Sequence, residues 1–217
     1  MNATRLVQPE LLDSLPHDAP SACRSRRDLR MINHLLGSHD WFRRALKPRL
    51  QGGEGLLEIG SGDGALGCAL MHAGFGSVAG IDLAARPPFW PERARWFQTS
   101  VFQFEDWAAH PVVIGNLVFH HFKDDELAVL GDHLNRHARL VVASEPLRTR
   151  RSARLFSALC PLIGADPVTR HDGRVSIEAG FRRDELPGLL RLDTRRWSWR
   201  VEETWLGACR LVAERRP

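Results

Sequence analysis

The stretch Glu58-Ile59-Gly60-Ser61-Gly62-Asp63-Gly64 decides the fold. Residues 55–59 are a short apolar run entering this glycine turn, residues 65–73 continue with helical character, and residues 78–83 form a second apolar run that reaches Asp82. Strand, glycine turn, helix, strand is a βαβ unit, whose strands are parallel and whose crossover is right-handed. Glycines after a first strand let the backbone turn tightly and approach a nucleotide, with the amides of the following helix facing it. Gly60, Gly62 and Ala65 satisfy the dinucleotide fingerprint, so a dehydrogenase has to be weighed. Two features point elsewhere. Gly64 makes the spacing Gly-x-Gly-x-Gly, and Glu58 stands at the strand end, where a carboxylate suits a cationic amine and repels a pyrophosphate. Asp82 follows Gly60 by about 20 residues, at the position where a carboxylate accepts ribose hydroxyls.

Outward from this unit the alternation continues. Residues 96–102 and 112–119 read as a third and fourth strand, Asp124 or Asp125 caps a helix over 126–135, and 140–144 reads as a fifth strand. Such alternation predicts an open, doubly wound, mostly parallel α/β sheet of Rossmann-like type. Trp197, Trp199 and Val201 share one face of a later strand, and Leu206, Ala208 and Val212 share a face in another. So short a link around Glu203 permits only an antiparallel C-terminal hairpin. Before the glycine turn, Leu29, Ile32, Leu35, Leu36, Trp41, Phe42 and Leu46 recur at helical spacing, broken by Gly37 and stopped near Pro48, which predicts one or two covering helices. Residues 1–20, with Pro9, Pro16 and Pro20, read as a loose arm or a short helix. The expected organisation is an arm with covering helices over 1–50 and one domain over 51–217.

Composition narrows the class. With 217 residues and 43% hydrophobic content, the chain can bury one substantial core. No apolar run approaches the roughly 20 residues of a membrane span, and residues 1–20 lack the apolar centre of a leader, so a cytoplasmic protein with no membrane span is expected. Cys23, Cys68, Cys160 and Cys209 are scattered, which indicates neither a disulfide framework nor a metal; Cys68 and His72, four apart, read as a core thiol beside a surface imidazole. The net charge is +4 and the pI near 9.3, yet Lys47 and Lys123 are the only lysines and the arginines are spread along the chain. No nucleic-acid partner is expected from that distribution.

With these motifs in place, the chain resembles the class I S-adenosylmethionine (SAM) dependent methyltransferases, and most of all the small-molecule branch around the ubiquinone and menaquinone methyltransferases. The resemblance covers about 55–147. It rests on Glu-x-Gly-x-Gly-x-Gly from Glu58 to Gly64, on Gly80-Ile81-Asp82-Leu83, and on Asn116-Leu117-Val118-Phe119-His120-His121-Phe122. It implies a seven-stranded sheet with an antiparallel last strand and SAM as cofactor. Glu58, Gly60, Ser61 and Gly62 would embrace the methionyl part, Asp82 and Leu83 the ribose and adenine edge, and Asn116 would end the fourth strand beside the cofactor. Ser100 and Val101 stand where the family has an acidic residue and a small apolar one beside adenine; Ser100 is a departure that offers a weaker hydrogen bond. The resemblance also implies a small-molecule methyl acceptor, with a phenolic, quinone-like or polyketide-type oxygen, and a substrate-covering insertion at about 148–183. An RNA or DNA base methyltransferase, a catalytically idle SAM-binding protein and an NAD(P) oxidoreductase are the alternatives. The first lacks a Pro-Pro-aromatic set after Asn116.

Methyl transfer needs a base only where the acceptor carries a proton. His120 and His121 lie just past the fourth strand, at the carboxyl edge where open α/β sheets bind ligands, and read either as site groups or as packing and turn residues. Arg170-His171-Asp172 reads either as a base with its orienter or as a solvated turn, inside a segment, 166–181, expected to be a mobile cover. Glu145, after the fifth strand, is left unassigned between touching substrate and capping a backbone amide.

Overall fold

The computed structural model describes residues 4–16 and 18–217; the parts of the arm expectation that fall on residues 1–3 and 17 lie outside them. In chain order the elements are α1 (Leu11–Ser14), α2 (Pro20–Leu35), α3 (Ser38–Leu46), β1 (Leu56–Ile59), α4 (Ala65–His72), β2 (Val78–Asp82), β3 (Trp96–Gln98), β4 (Val112–Asn116), α5 (Asp124–His137), β5 (Leu140–Pro146), α6 (Arg150–Leu162), α7 (Pro167–Ala179), α8 (Glu185–Leu189), β6 (Trp197–Glu203) and β7 (Ala208–Arg215). Seven strands form one sheet in the order β3-β2-β1-β4-β5-β7-β6. The first five pair in parallel, and β7 pairs antiparallel with both β5 and β6. This is the doubly wound α/β sheet with a C-terminal antiparallel hairpin that the alternation predicts.

Both faces of the sheet are covered, so its central strands are apolar on successive residues. Leu57, Ile59, Ala79, Ile81, Val113 and Val141 belong to one buried cluster. Their neighbours Leu56, Val78, Val112, Ile114 and Val142 belong to a second, packed with Trp41, Phe42 and Leu46 of α3 and Leu66 and Leu70 of α4. The chain reverses its direction of winding between β1 and β4, so the connections that leave their paired carboxyl ends run to opposite sides, the place where open α/β sheets carry a crevice. No described helix is long and apolar enough to cross a membrane.

Four local expectations are corrected. The third strand stops at Gln98, because the Ser100 hydroxyl accepts the Phe102 N–H at 3.3 Å and turns the chain into a short 3-10 segment over Val101–Gln103. The fourth stops at Asn116, because Leu117 takes a left-handed φ of 57°. Such a backbone costs a non-glycine residue about 1–2 kcal/mol. Helix α5 starts at Asp124 itself: Glu126 reaches back to the Lys123 N–H at 2.8 Å, and the acidic residues 124 and 125 occupy the first turn, where the helix dipole favours them. The polar tract around 170–174 is no turn but the middle of α7, which is capped by Asp166 on the Val168 N–H at 3.0 Å and begins with Pro167.

Candidate functional site

The crevice has two walls, and the first is built by the glycine turn. Gly60 has φ +62°, and a Cβ there would stand 2.3 Å from Val118 Cγ2, so only glycine passes. Gly62, at φ +54°, has nothing within 4 Å of where a Cβ would be, which leaves an open cradle above the turn. Its N–H donates to Asp82 Oδ2 at 2.7 Å, and Ala84 N–H donates to Asp82 Oδ1 at 2.8 Å. Asp82 therefore pins the turn to the end of β2 and retains a second lone pair on each oxygen for a ligand. Ser61 is buried and donates to the Glu58 carbonyl at 2.9 Å. Leu83, next to Asp82, is 75% exposed, an apolar surface at the mouth of the cradle. Ser100 and Val101 lie on the β3 side of Asp82, whose carbonyl takes the Thr99 N–H at 3.0 Å.

Glu58 is buried beneath the first turn of α4, and its Oε2 has no hydrogen-bond partner among the described residues. Burial pushes this carboxyl up to about 8, the nearby negative charges of Asp63 and Asp82 add to the rise, and the Gly67 amide opposes it. A buried acceptor with a free oxygen is costly unless a ligand completes it. Asn116 is a second case: its Nδ2 donates to Asn33 Oδ1 on α2 at 3.0 Å, while its own Oδ1 is buried and has no hydrogen-bond partner among the described residues. Arg30, also on α2, pairs with Asp63 at 2.8 Å, so the N-terminal helix lies along the glycine turn.

The second wall is assembled from four distant segments. Glu145, fully buried at the end of β5, accepts the N–H groups of Val118 and Phe119 at 3.0 Å each and of His120 at 3.2 Å, and it holds His120 Nδ1 at 2.7 Å. This carboxylate shapes the 3-10 turn Phe119–His121 and fixes the His120 ring so that Nε2 points the other way. There it meets Glu10 of the N-terminal arm, 3.5 Å away. Burial alone would lower His120, but Glu10 and Glu145 override it and push it up to about 9. Glu10 is held by the Ser176 hydroxyl of α7; burial raises its carboxyl, yet the two histidines and Ser176 bring it below its ordinary value. His121 packs against His120 with ring centroids 4.3 Å apart and has Asp13 Oδ2 at 3.8 Å from its Nδ1. Burial, then the charge of His120, lowers His121.

The arm is anchored, contrary to a loose reading. Arg5 donates to the carbonyls of Ala179, His120 and Phe122 at 2.8, 3.3 and 3.0 Å, pairs with Asp124 at 2.6 Å and lies over the Phe181 ring. The two carboxylate oxygens of Asp172 take the Leu11 and Leu12 N–H groups at 2.8 and 2.9 Å, which caps α1. Asp172 also sits 2.9 Å from His171 Nδ1, but the His171 side chain is 49% exposed. It lines an open groove of about 440 Å³ on α7 with Pro167, Arg170, Arg174, Val175 and Glu178. The structure thus brings His120 and His121 together with Glu10, and leaves His171 outside that cluster. Sequence reasoning missed Glu10 and Asp13, for which the arm carries no local signal, and left Glu145 open.

No protein-family model matches the chain, and no curated protein is detectably similar to it in sequence. Solved structures are similar in fold. The plantazolicin methyltransferase BpumL in complex with S-adenosylhomocysteine (SAH) superposes with a TM-score of 0.72 over 95% of this chain and 93% of its own, at 11% identity. Magnesium protoporphyrin IX methyltransferase from Synechocystis PCC 6803, with bound SAH, gives 0.57 over 88% and 86%, at 18% identity. The methyltransferase domain of bacterial CtHen1-C gives 0.59 over 82% and 96%, at 16% identity. The seven-stranded sheet with its reversed last strand is the fold of these methyltransferases.

Proposed function

We propose that the chain is a SAM-dependent methyltransferase that methylates an oxygen of a small acceptor of phenolic, quinone-like or polyketide type. The observation that carries the reading is Glu58: a buried carboxyl, at the end of β1 before the glycine turn that Asp82 pins, whose Oε2 makes no hydrogen bond of ordinary geometry among the described residues. A cationic amine satisfies such a group and a pyrophosphate does not. The residues present therefore fit SAM, with Glu58, Gly60, Ser61 and Gly62 around the methionyl part, Asp82 and Leu83 at the ribose and adenine, Ser100 and Val101 at the adenine edge, and Asn116 facing the cofactor across the crevice.

When bound, SAM would supply a methyl group carried on a sulfonium sulfur, whose carbon is open to in-line displacement with the thioether as leaving group. The chain's own work is alignment and the handling of the acceptor's proton. Glu10, His120 and His121 face the crevice from the second wall, and we assign to this cluster the ionisation of the acceptor hydroxyl. The segment 148–183, now seen as α6 and α7, supports that wall through Ser176 and Asp172, in keeping with a substrate cover. The oxygen acceptor follows the ubiquinone and menaquinone branch motif from Asn116 to Phe122. The fold alone does not select it, since the structural neighbours are named for acceptors as different as plantazolicin and magnesium protoporphyrin IX. Incubation with SAM and a panel of phenols and quinols, read by mass spectrometry, should give products heavier by one methylene. Transfer to RNA or duplex DNA with none to small molecules would replace this reading.

A further inference from the structure

We infer that Glu10, His120 and His121 form a binding site for one divalent first-row transition ion. One donor atom from each of the three lies within 4.8 Å of the other two. Two donors about 2.1 Å from a common ion stand roughly 3.0–3.5 Å apart in octahedral or tetrahedral geometry. His120 Nε2 and Glu10 Oε1, at 3.5 Å, already have that spacing, which is long for a hydrogen bond. His121 offers the third donor, within 4.8 Å of the other two.

The surroundings are those a metal centre requires. A ligating histidine gives its second ring nitrogen to a carboxylate or carbonyl, which fixes the tautomer and aims the free lone pair. Glu145 does this for His120 at Nδ1, leaving Nε2 aimed at Glu10. The Ser176 hydroxyl donates to Glu10 Oε1, the oxygen that faces His120 Nε2, and fixes it there, while Asp13 Oδ2 stands 3.8 Å from His121 Nδ1. Glu10 and His120 thus each have a second hydrogen-bond partner, and the carboxylates of Glu10 and Glu145 on either side of one imidazole favour a cation between them. Two imidazoles and one carboxylate suit zinc, cobalt, iron or manganese over calcium or magnesium. The centre is closed on the Glu145 side and opens past His121, 31% exposed, and Asp13, 66% exposed. An acceptor oxygen can reach a vacant coordination position from that direction. The sequence hides the site because Glu10 lies far from the histidine pair in the chain.

The inference concerns the chain's own donors; it deepens the acceptor-side role given to this cluster under the proposed function and is independent of the SAM pocket. The test uses the full chain after treatment with a chelator, titrated with Co(II) by visible absorption and with Zn(II) by calorimetry. One equivalent should bind, with the ligand-field bands of nitrogen and oxygen coordination. Glu10→Ala and His121→Ala should each weaken binding at least about 30-fold, while His72→Ala, at an exposed imidazole on α4, should not. Circular dichroism checks that both variants are folded; His121 is at the rim, with 31% of its side chain exposed, so its variant keeps the test open should Glu10→Ala unfold. Absence of stoichiometric binding at tens of micromolar protein overturns the site, as does equal binding by the wild type and both variants. SAM titration of the same samples separates the two claims: a chain that binds SAM and no metal loses only this site, and one that binds metal and no SAM loses only the cofactor reading.

Discussion

The two walls of the crevice are made in opposite ways. The wall proposed for the cofactor comes from β1, its glycine turn and β2, a short run of chain in which the residues that shape the turn are also those proposed to bind: Gly62 is held by Asp82, and Ser61 by the Glu58 carbonyl. The wall proposed for the acceptor draws Glu10 from the arm, His120 and His121 from the turn after β4, Glu145 from β5 and Ser176 from α7. The first wall is local and works as a unit, whereas the second exists only once the arm is seated. A cofactor common to many enzymes suits a local motif, and an acceptor site that must differ among them suits parts gathered by tertiary packing.

The largest effect should fall on the local wall. Asp82→Ala removes the acceptor of two backbone N–H groups as well as the ribose contacts. Loss of two charge-assisted bonds, about 3 kcal/mol, should weaken SAM binding by roughly 150-fold. A shift below about threefold with unchanged circular dichroism would show that Asp82 does not carry the ribose.

On the gathered wall, cofactor affinity and turnover should separate. Arg5→Ala cuts the arm from Ala179, His120 and Phe122 and so displaces Glu10. Turnover should fall about 100-fold, with SAM affinity within about threefold of wild type. Equal loss of both would mean that the arm belongs to the cofactor pocket. His171→Ala should change turnover least, by less than about threefold, because its ring lies in the α7 groove outside the cluster. A loss of about 100-fold there would return the base to the His171–Asp172 pair.

The same division governs what could be read from the chain. The doubly wound, mostly parallel sheet, the reversed hairpin and the glycine turn between Glu58 and Gly64 were legible because periodicity, glycine spacing and a short link around Glu203 are local properties. Leu117 was not, since apolar β-like residues continue past Asn116 and only the closed structure demands a left-handed backbone there. The α7 helix did carry a signal: Asp166-Pro167 is a cap followed by a first-turn proline, outweighed in the reading by the polar residues 169–174. Glu10 carried none. A lone glutamate among prolines in an arm acquires its meaning from His120, and that contact depends on how Arg5 and Asp172 seat the arm.

A smaller effect probes Glu58. Its carboxyl is raised to about 8, so between the ordinary carboxylate value near 4.5 and 8 the folded protein keeps a proton that the unfolded chain has lost. Stability should therefore fall as pH rises through that window and level off above it. The groups that bear on Glu58 are Asp63, Asp82 and the Gly67 amide, with the Cys68 thiol close by. Glu58→Gln should flatten this slope in thermal unfolding, and an unchanged slope would assign it to another group. In the wild type at pH 7, pairing with the cationic amine of SAM should expel close to one proton, seen as a binding enthalpy that depends on the buffer's ionisation heat.

The central claim is that the local wall is a SAM site, and calorimetric titration of the purified chain with SAM, SAH and NADH tests it most directly. Micromolar binding of SAM and SAH at one site per chain, with no heat from NADH, is the predicted result. Tight NADH binding without SAM binding would contradict it, and would turn the Gly60–Gly62–Ala65 spacing back into a dinucleotide fingerprint.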